Sequence, residues 1–304
     1  MNIIETHQLS RRYWRTEALR DLTLAVPAGS VSALLGANGA GKTTAIKVLM
    51  NLLPPSGGEA RVLGVDSRRL GERERAQIGY VSENQVLPPW MTVRQLLDYC
   101  RPFYPTWDRD LATKLMTQFD LPAERKIKHL SRGMRMKAAL LSSLAYRPKL
   151  LVLDEPFSGL DPLTRDDLVR GLLEAAVHGE WSVLVSSHDI EEVERLADHV
   201  SLLDAGRLQF SESTVALLGR FRRVEVTLPA LPPSIANPPP SWLEFEQAGG
   251  LARFVDTQYE YEATERQCRE RFPTGTLIVQ PMTLREIFIA LARAKRPQAK
   301  GVAA

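Results

Sequence analysis

Gly36-Ala37-Asn38-Gly39-Ala40-Gly41-Lys42-Thr43, followed by Thr44, decides how the rest of this chain is read. The run matches G-x-x-x-x-G-K-S/T at every position. Its glycines let the backbone wrap closely, so that N–H groups face phosphate oxygens. Ahead of it, Ser30-Val31-Ser32-Ala33-Leu34-Leu35 is a short apolar run that suits a buried strand. Behind it, Thr43 to Leu53 carries a helical pattern closed by Pro54-Pro55. Strand, glycine-rich loop and helix in that order open a nucleotide-binding α/β fold. The helix adds its positive end to the phosphate site. Lys42 is suited to neutralise β- and γ-phosphate charge, and the Thr43 hydroxyl to ligate Mg²⁺.

Working outward, Leu22 to Val26 reads as a strand that ends at the turn Pro27-Ala28-Gly29. Far downstream, Leu150-Leu151-Val152-Leu153-Asp154-Glu155 is a buried strand with two carboxylates at its end. Asp154 is suited to the Mg²⁺ shell and Glu155 to polarising an attacking water. Ser182 to Ser186 is another apolar run, and Pro162 to Val177 between the two has a helical pattern. That alternation argues for a parallel sheet with crossover helices. Met91 to Ala145 has helical periodicity and few strand signals, so about 84–148 is expected to be a mostly helical insertion.

These elements resemble the ATP-binding-cassette family over roughly residues 1–215. Leu130-Ser131-Arg132-Gly133-Met134 is similar to the family signature, and Ser158-Gly159-Leu160-Asp161 to its D-loop. His188 is similar to the switch histidine that reaches the γ-phosphate, and Tyr13 to the aromatic residue that stacks on adenine, with Trp14 adjacent. The resemblance implies a P-loop NTPase, with a RecA-like core, an antiparallel β subdomain and the helical insertion. It implies ATP and Mg²⁺ as cofactors. Nucleotide contacts would come from Tyr13, Gly36 to Thr44, Ser131, Gly133 and Asp161. Lys42, Glu155 and His188 would be catalytic, and Thr43, Asp154 and Glu83 would hold the metal. It also implies a second cassette, identical or related, whose ATP is contacted by Ser131, and a separate transmembrane permease received near Pro88–Tyr104.

Two departures stand out. The family places Gln where this chain has Glu83, with Gln85 two residues later, and either side chain can fill that slot. The signature carries Arg132 and Met134 where Gly and Gln are usual. Both departures, and the stretch Gln280 to Phe288, resemble bacterial exporter cassettes with separately encoded permeases.

After about residue 220 the pattern changes. Leu228 to Trp242 contains six prolines and no charge, a turn-rich excursion. Strands are expected at Arg223–Leu228, Leu251–Asp256 and Thr276–Val279. A helix is expected over Thr283–Lys295, with Leu284, Ile287, Phe288 and Leu291 on one face. Residues 1–220 then form the ATP-binding domain and 221–304 a small α+β appendage.

Composition sets the remaining bounds. With 304 residues, 44% hydrophobic and 25% charged, the chain suits a globular protein. A net charge of +3 gives no basic stripe for nucleic acid. Cys100 and Cys268 lack ligand spacing, so neither zinc nor a disulfide framework is expected. No signal peptide or membrane-spanning run is evident, since a span needs about 18 apolar residues. The expectation is a peripheral subunit held at the cytoplasmic face by its permease. The alternatives are a soluble cassette ATPase acting elsewhere and a regulatory ATP-binding protein without turnover.

Overall fold

Leu150–Asp154 and Ser182–Ser187 are buried at every residue, because they lie in the interior of a six-stranded sheet. The computed structural model describes residues 1–177, 181–228 and 237–295. Its chain divides into two units, Met1–Glu212 and Ser213–Ala304.

In the first unit the six strands run in the order Arg207–Ser213, His199–Asp204, Val31–Leu35, Ser182–Ser187, Leu150–Asp154 and Ile78–Ser82. The pairings from His199–Asp204 through Ile78–Ser82 are all parallel. Such a sheet needs both faces covered, which is why its central strands read as continuous apolar runs. The helix Lys42–Leu49 buries Ala45, Ile46, Val48 and Leu49 in a core that also takes in Leu150, Val152 and Leu184. Ile4, Leu9, Leu19, Leu22 and Val62 join the same core from an antiparallel sheet. That sheet runs Thr16–Leu22, Asn2–Tyr13, Gly57–Val62, Val65–Asp66, with Ala25–Pro27 also paired to Asn2–Tyr13.

Between Ile78–Ser82 and Leu150–Asp154 the described elements are helical, chiefly Val93–Cys100, Arg109–Gln118 and Arg132–Leu144. Each begins at a side chain that accepts an otherwise unpaired N–H: Thr92 from Gln95, Asp108 from Leu111, and Ser131 from Met134. Arg132–Leu144 is buried from Met136 to Leu144, so its first turn is fixed relative to the sheet.

Two expected elements are shortened. Leu22 to Val26 is not one strand, because the Thr6 hydroxyl donates to Leu22 O and accepts from Leu24 N, both at 2.8 Å. The side chain thereby replaces strand pairing at the break between Thr16–Leu22 and Ala25–Pro27. The helix after the glycine loop stops at Leu49 rather than Leu53. Asn51 turns left-handed (φ 55°), and the N–H groups of Leu52 and Leu53 fold back to Lys47 O.

The second unit is a four-stranded antiparallel sheet in the order Trp242–Ala248, Leu251–Asp256, Arg222–Thr227, Thr276–Pro281. Tyr261–Arg271 supplies Cys268 to a core of Val224, Val226, Trp242, Phe254 and Phe272, in which Trp242 and Phe254 stack at 3.8 Å. The helix Leu284–Lys295 buries Leu284, Ile287, Phe288 and Ala290, leaving Leu291 half-buried. Residues 229–236 of the proline-rich stretch lie outside the described residues. Among the described residues no helix is long and apolar enough to cross a membrane.

Candidate functional site

The loop between Leu35 and Lys42 is shaped by what glycine alone permits. A Cβ at Gly36 would collide with the Leu203 carbonyl. Gly41 sits at φ 108°, and a Cβ there would lie 2.5 Å from Ala18 O. The helix that follows starts without a side-chain cap, and its first bond runs from Ala45 N–H to Gly41 O. The N–H groups of Lys42, Thr43 and Thr44 therefore have no intrahelical acceptor. Together with the helix dipole they form a ready anion site.

Lys42 is buried, and its ammonium donates to Gly36 O at 2.6 Å and Ala37 O at 3.2 Å. It also lies 3.0 Å from Glu155 Oε1. That oxygen is buried and makes no aligned hydrogen bond among the described residues. The strand Leu150–Asp154 delivers both carboxylates. Asp154 Oδ1 accepts from Thr43 Oγ1 at 3.0 Å and Ser186 Oγ at 2.8 Å. Burial, opposed by these two hydroxyls, pushes its pKa up. Glu155 follows in a left-handed conformation at φ 52°. A non-glycine residue there costs on the order of 1 kcal/mol, and its backbone is held by Ser186, whose hydroxyl accepts from Glu155 N at 3.1 Å.

His188, one residue beyond Ser182–Ser187, places Nδ1 2.7 Å from Glu155 Oε2. The hydrogen bond to Glu155 raises the imidazole pKa above its ordinary value, outweighing its partial desolvation. A raised histidine pKa gives stability that is complete below the unfolded value and lost as pH rises through the folded one. Wild-type protein is therefore expected to lose more unfolding free energy than His188→Ala between about pH 6 and about pH 9. Chemical denaturation at the two pH values measures this. Equal losses would show that the pair contributes nothing.

Glu83 follows Ile78–Ser82, and its N–H donates to Asp154 O at 2.9 Å. Its Oε1 accepts from Arg132 at 2.6 Å and from Ser158 Oγ at 2.9 Å. Gln85 Oε1 instead turns back to Ser82 N. Lys42, Thr43, Asp154, Glu155 and His188 are thus joined directly, with Glu83 attached through backbone. Three further expected nucleotide contacts lie outside this directly joined group. Ser131 caps Arg132–Leu144, Gly133 packs against Thr164, and Asp161 caps Pro162–Val177 through Thr164 N and Oγ1. Tyr13 is partly exposed, with the Arg11 guanidinium 4.7 Å from its ring, while Trp14 is fully exposed.

Two features escaped the sequence reading. Ser186 holds the Asp154 carboxylate and the Glu155 backbone. The polar pair Ser186-Ser187 ending an apolar strand was its only signal. Glu192 is buried, accepts from Ser187 Oγ at 2.5 Å and pairs with Arg165 at 3.0 Å, which anchors the segment after His188 to Pro162–Val177. No spacing rule would have found it.

The ABC transporter family matches residues 19–158. The ABC transporter ATP-binding protein YtrB of Bacillus subtilis (strain 168) is 31% identical over 206 residues, covering 68% of this chain and 70% of that protein. This chain belongs to the ABC transporter ATP-binding family. The cassette is also similar to the daunorubicin resistance ATP-binding protein DrrA2 of Streptomyces coeruleorubidus, at 36% identity over 67% of this chain and 65% of that one. The sulfate/thiosulfate import ATP-binding protein CysA of Salmonella typhi is 32% identical over 69% and 60%. Among solved structures, an ATP-binding subunit of an ABC transporter superposes with a TM-score of 0.64 and 29% identity, covering 71% of this chain and 91% of that one. The cassette is an ATPase with the P-loop NTPase fold.

Proposed function

We propose that this cassette hydrolyses Mg²⁺-ATP at the Lys42–Asp154–Glu155–His188 centre and drives a separate transmembrane permease, in the export direction. The observation that carries the reading is the continuous contact from Lys42 through Glu155 to His188 at the mouth of the glycine loop. Support for export is the higher identity to DrrA2, a protein named for drug resistance, than to CysA, named for import.

The loop N–H groups and Lys42 bind the phosphates of ATP. The γ-phosphate offers Lys42 a competing counter-charge, and this frees Glu155. Glu155 then orients water and accepts its proton, while His188, held through Nδ1, steadies the carboxylate and the γ-phosphate. Thr43 and Asp154 share a hydroxyl–carboxylate contact of 3.0 Å, a hard-oxygen pair that fits Mg²⁺. Bound there, Mg²⁺ would neutralise charge on the β- and γ-phosphates. Ser131 and the start of Arg132–Leu144 present an N-terminal helix end to the ATP of a second cassette. The permease would hold the pair at the cytoplasmic face.

Phosphate release by the purified chain tests this. Turnover is expected with Mg²⁺, none with EDTA, and specific activity should rise with protein concentration as cassettes pair. Activity independent of concentration would remove the second cassette from the mechanism. Absence of turnover at every concentration would favour a regulatory ATP-binding role.

A further inference from the structure

Arg132 stands at the first position of Arg132–Leu144 and reaches out of its helix to Glu83 at 2.6 Å. Glu83 is the residue after Ser82, which pairs in parallel register with Asp154, and its own N–H bonds Asp154 O. Its backbone is therefore tied to the strand end that carries the Asp154 carboxylate assigned to the metal. Yet Glu83 Oε1 is taken by two donors, the Arg132 guanidinium and the Ser158 hydroxyl. The D-loop makes room for this arrangement. Gly159 turns at φ 64°, and a Cβ there would lie 2.8 Å from the Arg132 guanidinium. Three segments distant in sequence thus meet on one carboxylate oxygen.

A carboxylate oxygen neutralised by a guanidinium is a poor ligand for a hard cation, because its charge is already shared. The pair is not locked in the core. Arg132 and Glu83 side chains are 47% and 31% exposed, and both line a groove of about 310 Å³ with Ser82, Gln85, Arg135 and Met136. Such a pair exchanges readily and is worth little by itself, so it suits a tuning role rather than a scaffold.

We infer that Arg132 is a positioning residue that withholds the Glu83 carboxylate from the metal site and thereby sets the Mg²⁺-ATP concentration at which the site fills. This rests on the reading of Thr43 and Asp154 as the Mg²⁺ shell. Removing the guanidinium returns full charge to Glu83, which then adds a third oxygen ligand. Arg132→Lys keeps a cation in reach and preserves most of the restraint.

Calorimetric binding to the full chain tests this without depending on turnover. For Arg132→Gln, Mg²⁺-ATP is expected to bind about threefold tighter than to wild type, a shift proportionate to one half-exposed ion pair. ATP in EDTA should show no such gain. Arg132→Lys should bind as wild type does, and Arg132→Gln combined with Glu83→Gln should lose the gain. A purely structural Arg132 would lower the melting temperature and leave the difference between Mg²⁺ and EDTA where it was. That result, or a gain that persists without the Glu83 carboxylate, overturns the inference. If Mg²⁺-ATP binds wild type but is never hydrolysed, the proposed hydrolytic function fails while the binding comparison still judges Arg132. Arg132→Ala provides a second variant should the glutamine variant fold poorly.

Discussion

Glu155→Gln is expected to lower ATP turnover by about a thousandfold, within the range by which a positioned general base accelerates proton transfer. The substitution keeps the shape of the side chain and removes its charge, so two consequences separate. Turnover falls because the amide cannot accept a proton from water. In the absence of nucleotide, stability also falls, because the buried Lys42 ammonium loses the carboxylate 3.0 Å away. Breaking a buried pair from one side costs on the order of 3 kcal/mol. Mg²⁺-ATP supplies the missing counter-charge. The rise in melting temperature on adding it should therefore be larger for Glu155→Gln than for wild type. Phosphate release and thermal unfolding with and without Mg²⁺-ATP measure both effects. Turnover within tenfold of wild type would move the base elsewhere.

Lys42→Ala removes the opposite partner and is expected to act on binding. The ammonium is held by Gly36 O, Ala37 O and Glu155, so it is positioned before any phosphate arrives. Its loss should weaken ATP binding by about a hundredfold, about 2.8 kcal/mol. Glu155 then keeps only His188 as a compensating group, so the variant should also be less stable than wild type, and adding ATP should restore little. Equilibrium binding and unfolding curves check this. Affinity within threefold of wild type would show that the loop N–H groups alone hold the phosphates.

The glycine loop and the Asp154-Glu155 strand end were legible because each is local, whereas His188 was marked only by the family resemblance. A few adjacent residues state both the element and the chemistry, and the structure brings them together around Thr43 and Lys42. The buried parallel strands were legible from continuous apolar runs such as Leu150 to Leu153. Gly57–Val62 was not, because it opens with two glycines and carries Glu59 and Arg61 on a half-exposed antiparallel sheet. Tyr261–Arg271 was equally hidden. Its sequence is dominated by charge, and only Thr264 and Cys268 are buried within it. The break between Thr16–Leu22 and Ala25–Pro27 depends on the Thr6 hydroxyl, a residue distant in sequence. The Arg132–Glu83–Ser158 meeting has the same character. The sequence marks Arg132 and Glu83 as departures, but only the fold shows that they pair with one another.

The most direct test of a composite ATP site is sedimentation of Glu155→Gln with and without Mg²⁺-ATP. A monomer that becomes a dimer only with Mg²⁺-ATP, and that returns to monomer when Ser131→Arg is added to the same chain, is the expected result. A Glu155→Gln protein that binds Mg²⁺-ATP yet stays monomeric at every protein concentration would contradict it.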